Sequence, residues 1–478
     1  SMNSNPTFNS QIFEDRDNLE IERVLNDNTK PLLNRAFSGF YPPGSVFKPI
    51  PSLLGLQKNL INENTEVFCT GHSTLKDRNY YCWKKGGHGK VNLKKAIKES
   101  CDVFFYELAK KIGINKIADM APIQDGRVFL GNSGSDANDT LLKLVRYHAE
   151  ASGNPHRIKV IAREQGYHGV TLASAALTAI PTNHAHFQLP FEALGVLRTG
   201  SAHYYRGAQE GETETDFIER RARELDSLIL AEGPETIAAM IAEPVSGAGG
   251  VIVPPEGYFA AIQAVLDRYG IWLWDDEVIC GFGRLGADFG ANKMAMRPQM
   301  MTLAKALSSA YVPVSAAVVQ GDIVDCINAS ATEVGVFGHG YTYSGHPLGC
   351  AVASKVIDIY QRDNIFEHAD TVGGYLQNRL RALSDHPLIG EVSGVGMIGA
   401  LELVANKASK KPFDGMKVGQ FCAKAAEENG LIVRPLGGNR VAVCPPLIIQ
   451  NEHVDELIDK LSSALNTTLE WVRAEKLV

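Results

Sequence analysis

Asp276 and Lys305 are the residues whose types and settings could do chemistry together. Asp276 lies in the apolar run 270–278, Gly-Ile-Trp-Leu-Trp-Asp-Asp-Glu-Val, whose length and aromatic content predict a buried strand. An acid at the C-terminal edge of such a strand sits where open α/β sheets hold their ligands. Lys305 lies in Met-Thr-Leu-Ala-Lys-Ala-Leu (301–307), with small or apolar residues on both sides. Burying an ammonium is costly, so a lysine in that setting is often neutral or covalently used. A Schiff-base lysine opposite an acid that keeps a pyridine nitrogen protonated is the pairing that pyridoxal 5'-phosphate requires. Each residue alone has a plainer reading: the lysine snorkels its head to water, and the acid caps a following helix.

The elements that must position them alternate from residue 122 onward. Arg-Val-Phe-Leu (127–130) predicts a strand, Gly-Asn-Ser-Gly-Ser (131–135) a turn, and 136–150 a helix with Ala137, Leu141, Leu144 and Val145 on one face. Further strands are expected at 157–161, 236–241, 271–274 and 312–319, mostly separated by helical stretches, which argues for an α/β fold with a mainly parallel sheet. A long helix around 348–361 precedes the segment 388–403 and a final helix from Glu452, which together suggest a smaller C-terminal α+β domain. The turn at Gly134 and Ser135 leads into a helix, where backbone N–H groups and a hydroxyl could hold a phosphate or simply cap the helix. Residues 281–286, Gly-Phe-Gly-Arg-Leu-Gly, match the dinucleotide fingerprint GxGxxG, but no amphipathic helix follows, so the match is rejected.

Composition sets the outer limits. The 478 residues exceed one average domain. Lys and Arg total 47 against 54 Asp and Glu, a net charge of −7, and no basic stripe points to nucleic acid. No apolar run approaches a membrane span and no signal peptide opens the chain, whose leading Ser-Met reads as an expression remnant. The eight cysteines are scattered without CxxC spacing, so reduced thiols, no metal ligand set and a cytoplasmic setting are expected. Composition breaks near residue 121. Residues 1–121 hold 13 of the 26 asparagines, with 17 basic and 13 acidic residues; the rest of the chain carries 30 and 41. Such asymmetry marks separate domains.

Several segments in register now carry a resemblance. Asn-Ser-Gly-Ser-Asp-Ala-Asn (132–138), Gly-Tyr-His-Gly (166–169), Ala-Glu-Pro-Val (242–245), Asp-Glu-Val (276–278) with Gly-Phe-Gly-Arg (281–284), Lys305 and 339–347 are similar to the class III aminotransferases of fold type I. The last segment, His-Gly-Tyr-Thr-Tyr-Ser-Gly-His-Pro, most resembles the branch that moves amino groups from ω-amino acids or amines to pyruvate. The resemblance implies that Lys305 carries pyridoxal phosphate as a Schiff base and later serves as base and acid. Asp276 would keep the ring nitrogen charged, Val278 and Tyr167 would sandwich the ring, and Glu243 would sit beside it. Gly134 and Ser135 would hold the phosphate, with Thr342 reaching in from the partner subunit of a homodimer. Arg434 would bind the carboxylate of the amino donor or of the 2-oxo acid acceptor.

The first quarter resembles something else. Ser45 and Lys48 form an S-x-x-K pair, and i, i+3 residues share a helix face, so Lys48 could deprotonate Ser45. Together with Cys-Trp-Lys-Lys-Gly-Gly-His-Gly (82–89) and Ser-Cys-Asp (100–102), the pair resembles the transpeptidase domain of class B penicillin-binding proteins. There Ser45 would be the acyl-accepting nucleophile, with Ser100 and Asp102 forming a second element. The expected K-T-G strand is missing; Arg198-Thr-Gly is a look-alike in what reads as loop. The chain thus reads as a splice of two incomplete proteins: a partial transpeptidase-like segment at 1–121, a cofactor-binding large domain at 122–365 and a small domain at 366–478. An aminotransferase is the leading expectation; a penicillin-binding fragment acting through Ser45, or a hybrid without catalysis, are the alternatives.

Overall fold

Runs that are apolar on every residue, such as Ile-Ala-Ala-Met-Ile-Ala (237–242), can only be satisfied by a strand covered on both faces. The computed structural model describes residue 19 and residues 23–24, 48–57, 60–75, 78–112, 115–334 and 337–477, and places that run in the interior of a seven-stranded sheet. The chain divides into two compact units, Ser1–Lys111 and Ile112–Val478.

In the first unit, β1 (Glu66–Cys69) pairs antiparallel with β4 (Gly89–Asn92), and β2 (His72–Leu75) with β3 (Arg78–Tyr81). The helix Pro49–Gln57 precedes them, and Leu93–Lys98 and Asp102–Ile112 follow. Phe104 and Leu108 are buried on the last helix.

In the second unit, the large sheet contains β5 (Arg127–Gly131), β6 (Lys159–Arg163), β7 (Val196–Thr199), β8 (Ile237–Ala242), β9 (Trp272–Asp276), β10 (Met300–Leu303) and β11 (Ser315–Val319). They run in the order β5-β11-β10-β9-β8-β6-β7. Only β11 runs against its neighbours, so the sheet is mainly parallel as expected. Two core clusters pack against it, one around Ile161, Met240, Leu273 and Leu266, the other around Leu141, Val145, Val160 and Trp274. The helix Asn115–Met120 belongs to this unit, since Ile117, Ala121 and Ile123 join the first cluster. Five further strands, β12 (Ile389–Val395), β13 (Ile398–Asn406), β14 (Lys411–Pro412), β15 (Arg434–Leu436) and β16 (Arg440–Val443), form an antiparallel sheet. The helices Ile365–Arg381, Lys417–Glu428 and Asn451–Ala474 bury Leu376, Cys422 and Leu461 in one cluster with Leu401 and Val441 of that sheet.

Two expectations need correction. Arg198 and Thr199 lie on β7, an edge strand, and not in a loop. The strand was hidden because Val-Leu-Arg-Thr is only half buried throughout and carries no alternation. Arg198 is consumed locally: its guanidinium donates to the carbonyls of Leu177, Ala176 and Thr178. The short β10, Met-Met-Thr-Leu, also escaped notice, and it is the strand that delivers Lys305. The rejected fingerprint at 281–286 forms turns, and Arg284 uses them to donate to the carbonyls of Met397 and Pro445 in the smaller sheet region.

Candidate active site

Five segments leave the C-terminal ends of large-sheet strands and meet in one cleft. They are Gly134 and Ser135 after β5, Tyr167 to Gly169 after β6, Glu243 after β8, Asp276 at the end of β9 with Val278 and Ile279 beyond it, and Lys305 after β10. This edge is where a parallel sheet leaves a crevice between diverging connections.

Asp276 is held from three directions. Its Oδ2 accepts from His168 Nδ1 at 2.8 Å and from Asn138 Nδ2 at 3.0 Å, and its Oδ1 accepts from the Val278 N–H at 3.2 Å. The first bond fixes the His168 tautomer, because a carboxylate can only accept. Behind Asn138 runs a chain of donors: Trp274 Nε1 donates to Thr302 Oγ1 at 2.9 Å, and Thr302 donates to Asn138 Oδ1 at 2.6 Å. Asn138, His168, Trp274 and Thr302 are all buried, so these bonds form away from competing water.

Lys305 opens the turn after β10 with a left-handed backbone, φ +42°, a conformation a non-glycine residue adopts at a cost. Its side chain borders the open cleft. Burial lowers the Lys305 ammonium below its ordinary value; the Asp276 and Glu243 carboxylates oppose that shift, while the charge of Arg434 adds to it. Glu243 is pushed up by burial, with Asp276 adding to the effect and His168 and Arg163 opposing it. It accepts from the Tyr167 N–H and the Gly247 N–H, each at 3.0 Å, and so pins the backbone of the residue whose ring lines the cleft.

The third wall is the start of the helix Gly134–Ala151, where Ser133 caps the Asp136 N–H at 3.2 Å. A Cβ on Gly134 would approach the Val278 side chain to 2.9 Å, so glycine keeps the N-terminus open beside Val278. Gly169, at φ +135°, lies so close to Ser135 that a Cβ would come within 2.5 Å of its Oγ. Ser135 Oγ also accepts from the Val170 N–H at 3.1 Å. Helix N–H groups, a hydroxyl and an opposed glycine make a cradle suited to an anion such as phosphate.

Of the residues expected from sequence, Gly134, Ser135, Tyr167, Glu243, Asp276, Val278 and Lys305 all line this cleft. Thr342 does not: it is exposed, in a turn beyond His339, whose ring meets Thr140 Oγ1 at 2.9 Å and Lys143 Nζ at 3.1 Å. Arg434 is exposed at the start of β15, near enough for its charge to act on Lys305. In the first unit, Lys48 Nζ donates to Asp102 Oδ1 at 2.6 Å, to Ser100 Oγ at 2.8 Å and to the Ser100 carbonyl at 2.9 Å. Burial pushes Asp102 up, but Lys48 and the Trp83 N–H outweigh it and hold the carboxyl below its usual value. Ser45 lies outside the described residues. Sequence reading passed over Asn138, His168 and Thr302 as functional residues, although the first two stand inside the quoted motifs; a polar residue on a helix face otherwise apolar was the available signal at Asn138.

Residues 89–465 match the family described as aminotransferase class-III, and residues 1–123 match the penicillin binding protein transpeptidase domain. The chain is 43% identical over 405 residues to a chloroplastic gamma aminobutyrate transaminase 3 of Solanum lycopersicum, covering 81% of this chain and 76% of the relative. It is also 43% identical to a diaminobutyrate–2-oxoglutarate transaminase of Halomonas elongata, covering 75% and 77%. Among solved structures, a thermostable omega transaminase variant engineered for asymmetric synthesis of bulky amines is 45% identical with a TM-score of 0.73, covering 75% of this chain and 79% of that one. The omega transaminase from Pseudomonas jessenii in complex with PMP is 37% identical with a TM-score of 0.74, covering 91% and 87%.

Proposed function

The chain belongs to the class III aminotransferases, fold type I enzymes that depend on pyridoxal phosphate, and on that premise we propose that it moves an amino group from an ω-amino acid or amine to pyruvate or a similar 2-oxo acid. The observation that carries the reading is one cleft holding Lys305, the triply bonded Asp276 and the open helix start at Gly134 and Ser135. Those groups match the three demands of the cofactor: an amine for its carbonyl, an anion for its ring nitrogen and an anion cradle for its phosphate. Pyridoxal phosphate, when bound, supplies an electron sink for the carbon that loses its proton.

The protein's own groups do the rest. Asp276, fixed by His168, Asn138 and the Val278 N–H, presents a carboxylate held in one position, which would pair with the ring nitrogen of the bound cofactor. Lys305, exposed to the cleft and with its ammonium held below its ordinary value, takes the proton from the substrate carbon and returns it. Tyr167 and Val278 line the cleft and would exclude water from the ring of a bound cofactor. Glu243 holds the Tyr167 backbone. Arg434 receives a substrate carboxylate, and its exposed position leaves room to turn aside for amines without one. Thr342 adds a hydroxyl to the phosphate cradle from the partner subunit of a homodimer. Terminal-amine donors agree with the names of the relatives, which act on gamma aminobutyrate and diaminobutyrate.

A panel of γ-aminobutyrate, β-alanine and 1-phenylethylamine with pyruvate, read as alanine formed, tests the substrate class. Turnover with the terminal amines is expected. Turnover confined to α-amino donors would remove the ω-amine reading while leaving the family untouched. Acyl transfer through Ser45 is the second reading, and the joined Lys48, Ser100 and Asp102 are what favour it. All three donors of Lys48 are engaged there, which argues against its serving as a base.

A further inference from the structure

The first unit gathers four residues that the sequence spaces 13, 6 and 13 positions apart. Cys69 ends β1, Cys82 follows β3, His88 precedes β4, and Cys101 stands before the helix Asp102–Ile112. All four are buried, and one ligand atom from each lies within 4.8 Å of the others. His88 Nδ1 is 3.6 Å from Cys69 Sγ and 3.5 Å from Cys82 Sγ. A tetrahedral zinc ion with bonds of about 2.3 Å to sulfur and about 2.1 Å to nitrogen sets its sulfur and nitrogen ligands about 3.6 Å apart. Both His88 separations match that spacing.

Backbone geometry supports the same point. Gly71 and Gly87 have φ of +101° and +73°, and a Cβ would come within 2.3 Å of the Lys85 carbonyl oxygen at the first and 2.1 Å of the Cys69 carbonyl oxygen at the second. The loops carrying Cys69, Cys82 and His88 therefore cross at a distance that only glycine permits. Lys95 Nζ donates to the His88 carbonyl at 2.9 Å and to the Lys90 carbonyl at 3.0 Å, tying down the turn that presents the imidazole. The Trp83 ring meets the His88 ring edge-on at 5.4 Å. A second cluster, His203 with Glu391 and Glu402, does not compete as a metal site: Arg440 Nη1 lies 2.8 Å from Glu391 and also bonds Glu402, so an arginine already supplies the positive charge.

We propose that Cys69, Cys82, Cys101 and His88 hold one structural zinc ion, with His88 binding through Nδ1. Three thiolates and an imidazole fill all four positions, which leaves none for water and makes the site structural and not catalytic. Binding forms three Zn–S bonds and one Zn–N bond; each thiol releases its proton to solvent, and no electron moves. The ion would join both two-stranded sheets to the start of the helix Asp102–Ile112. Spacing rules recognise ligands paired within one turn, whereas here separate hairpins bring the four residues together, so the sequence spacing carries no metal signal.

The full chain, purified without chelator, is expected to carry about one zinc per chain by elemental analysis. After metal removal, Co²⁺ should restore ligand-field bands of tetrahedral thiolate coordination, to the red of the cofactor's absorbance. Cys101→Ser and His88→Ala should each lose most of the zinc. Because those variants could fail to fold, the Co²⁺ spectrum of the unaltered chain is an independent reading. A chain that holds no stoichiometric zinc and gives no cobalt–thiolate bands, or a Cys82→Ser/Cys101→Ser variant that keeps full zinc, overturns the proposal. None of these readings depends on transamination.

Discussion

Replacing Asn138 by alanine tests whether Asp276 is positioned as deduced. Asn138 is wholly buried and joins three partners: it donates to Asp276 Oδ2 at 3.0 Å and to the His168 carbonyl at 2.5 Å, and it accepts from Thr302 Oγ1 at 2.6 Å. Alanine leaves the His168 carbonyl without that donor and the Thr302 hydroxyl without that acceptor. Each unsatisfied buried group costs about 1–3 kcal/mol, and since a hydroxyl can rotate toward another acceptor, the sum should be about 2–4 kcal/mol. Asp276 keeps His168 and Val278 but loses one hydrogen bond to a charged group, worth about 1.5–3 kcal/mol. At about 1.4 kcal/mol per tenfold, the half-reaction with amino donor should slow by about 10–100-fold. Asp276→Asn, which removes the charge itself, should retain cofactor and fall further. Denaturation midpoints and single-turnover absorbance on the same preparations give both numbers. If Asn138→Ala unfolds like the parent and its half-reaction is unchanged, the donor chain through Thr302 does not position Asp276.

Burial pushes Glu277 up to about 7, and the charge of Asp276 adds to the effect. An acid whose folded value exceeds its unfolded value of 4.5 binds its proton more tightly when folded, so stability is lost as pH rises through about 7. Glu277→Gln keeps an acceptor for the Ala291 N–H, bonded at 2.6 Å, and should gain on the parent by on the order of 2–3 kcal/mol between about pH 5 and about pH 8; a constant difference across that window would refute the assignment. A fluorescent penicillin should label neither the parent nor Ser45→Ala, because a nucleophile without an oxyanion hole forfeits about 10²–10³ in rate. Stoichiometric labelling that vanishes in the variant would make the first unit a working acyl-transfer site.

What the sequence disclosed depended on how locally each feature was encoded. β8 is a continuous apolar run and β9 opens with one that leads to Asp276, so strand, edge and acid could be read together. β7 lies on the sheet edge with every residue half buried, which erases the pattern that reveals a strand. The compositional break falls at residue 121, yet the units part after Lys111, because Ile117 and Ala121 bury in the core of the second unit. Residue counts cannot report which core a six-residue helix joins. Asn138 and Thr302 matter through partners 164 residues apart, and only the meeting of the helix Gly134–Ala151 with β10 makes them a pair.

Reduction of the purified protein with borohydride, followed by peptide mass mapping, tests the central claim most directly. Burial depresses the Lys305 ammonium, and Lys305 shares its cleft with Asp276 and the helix start at Gly134. The cofactor's mass should therefore be retained on the peptide containing Lys305. A coloured protein whose label maps to another lysine, or to none, would contradict the account.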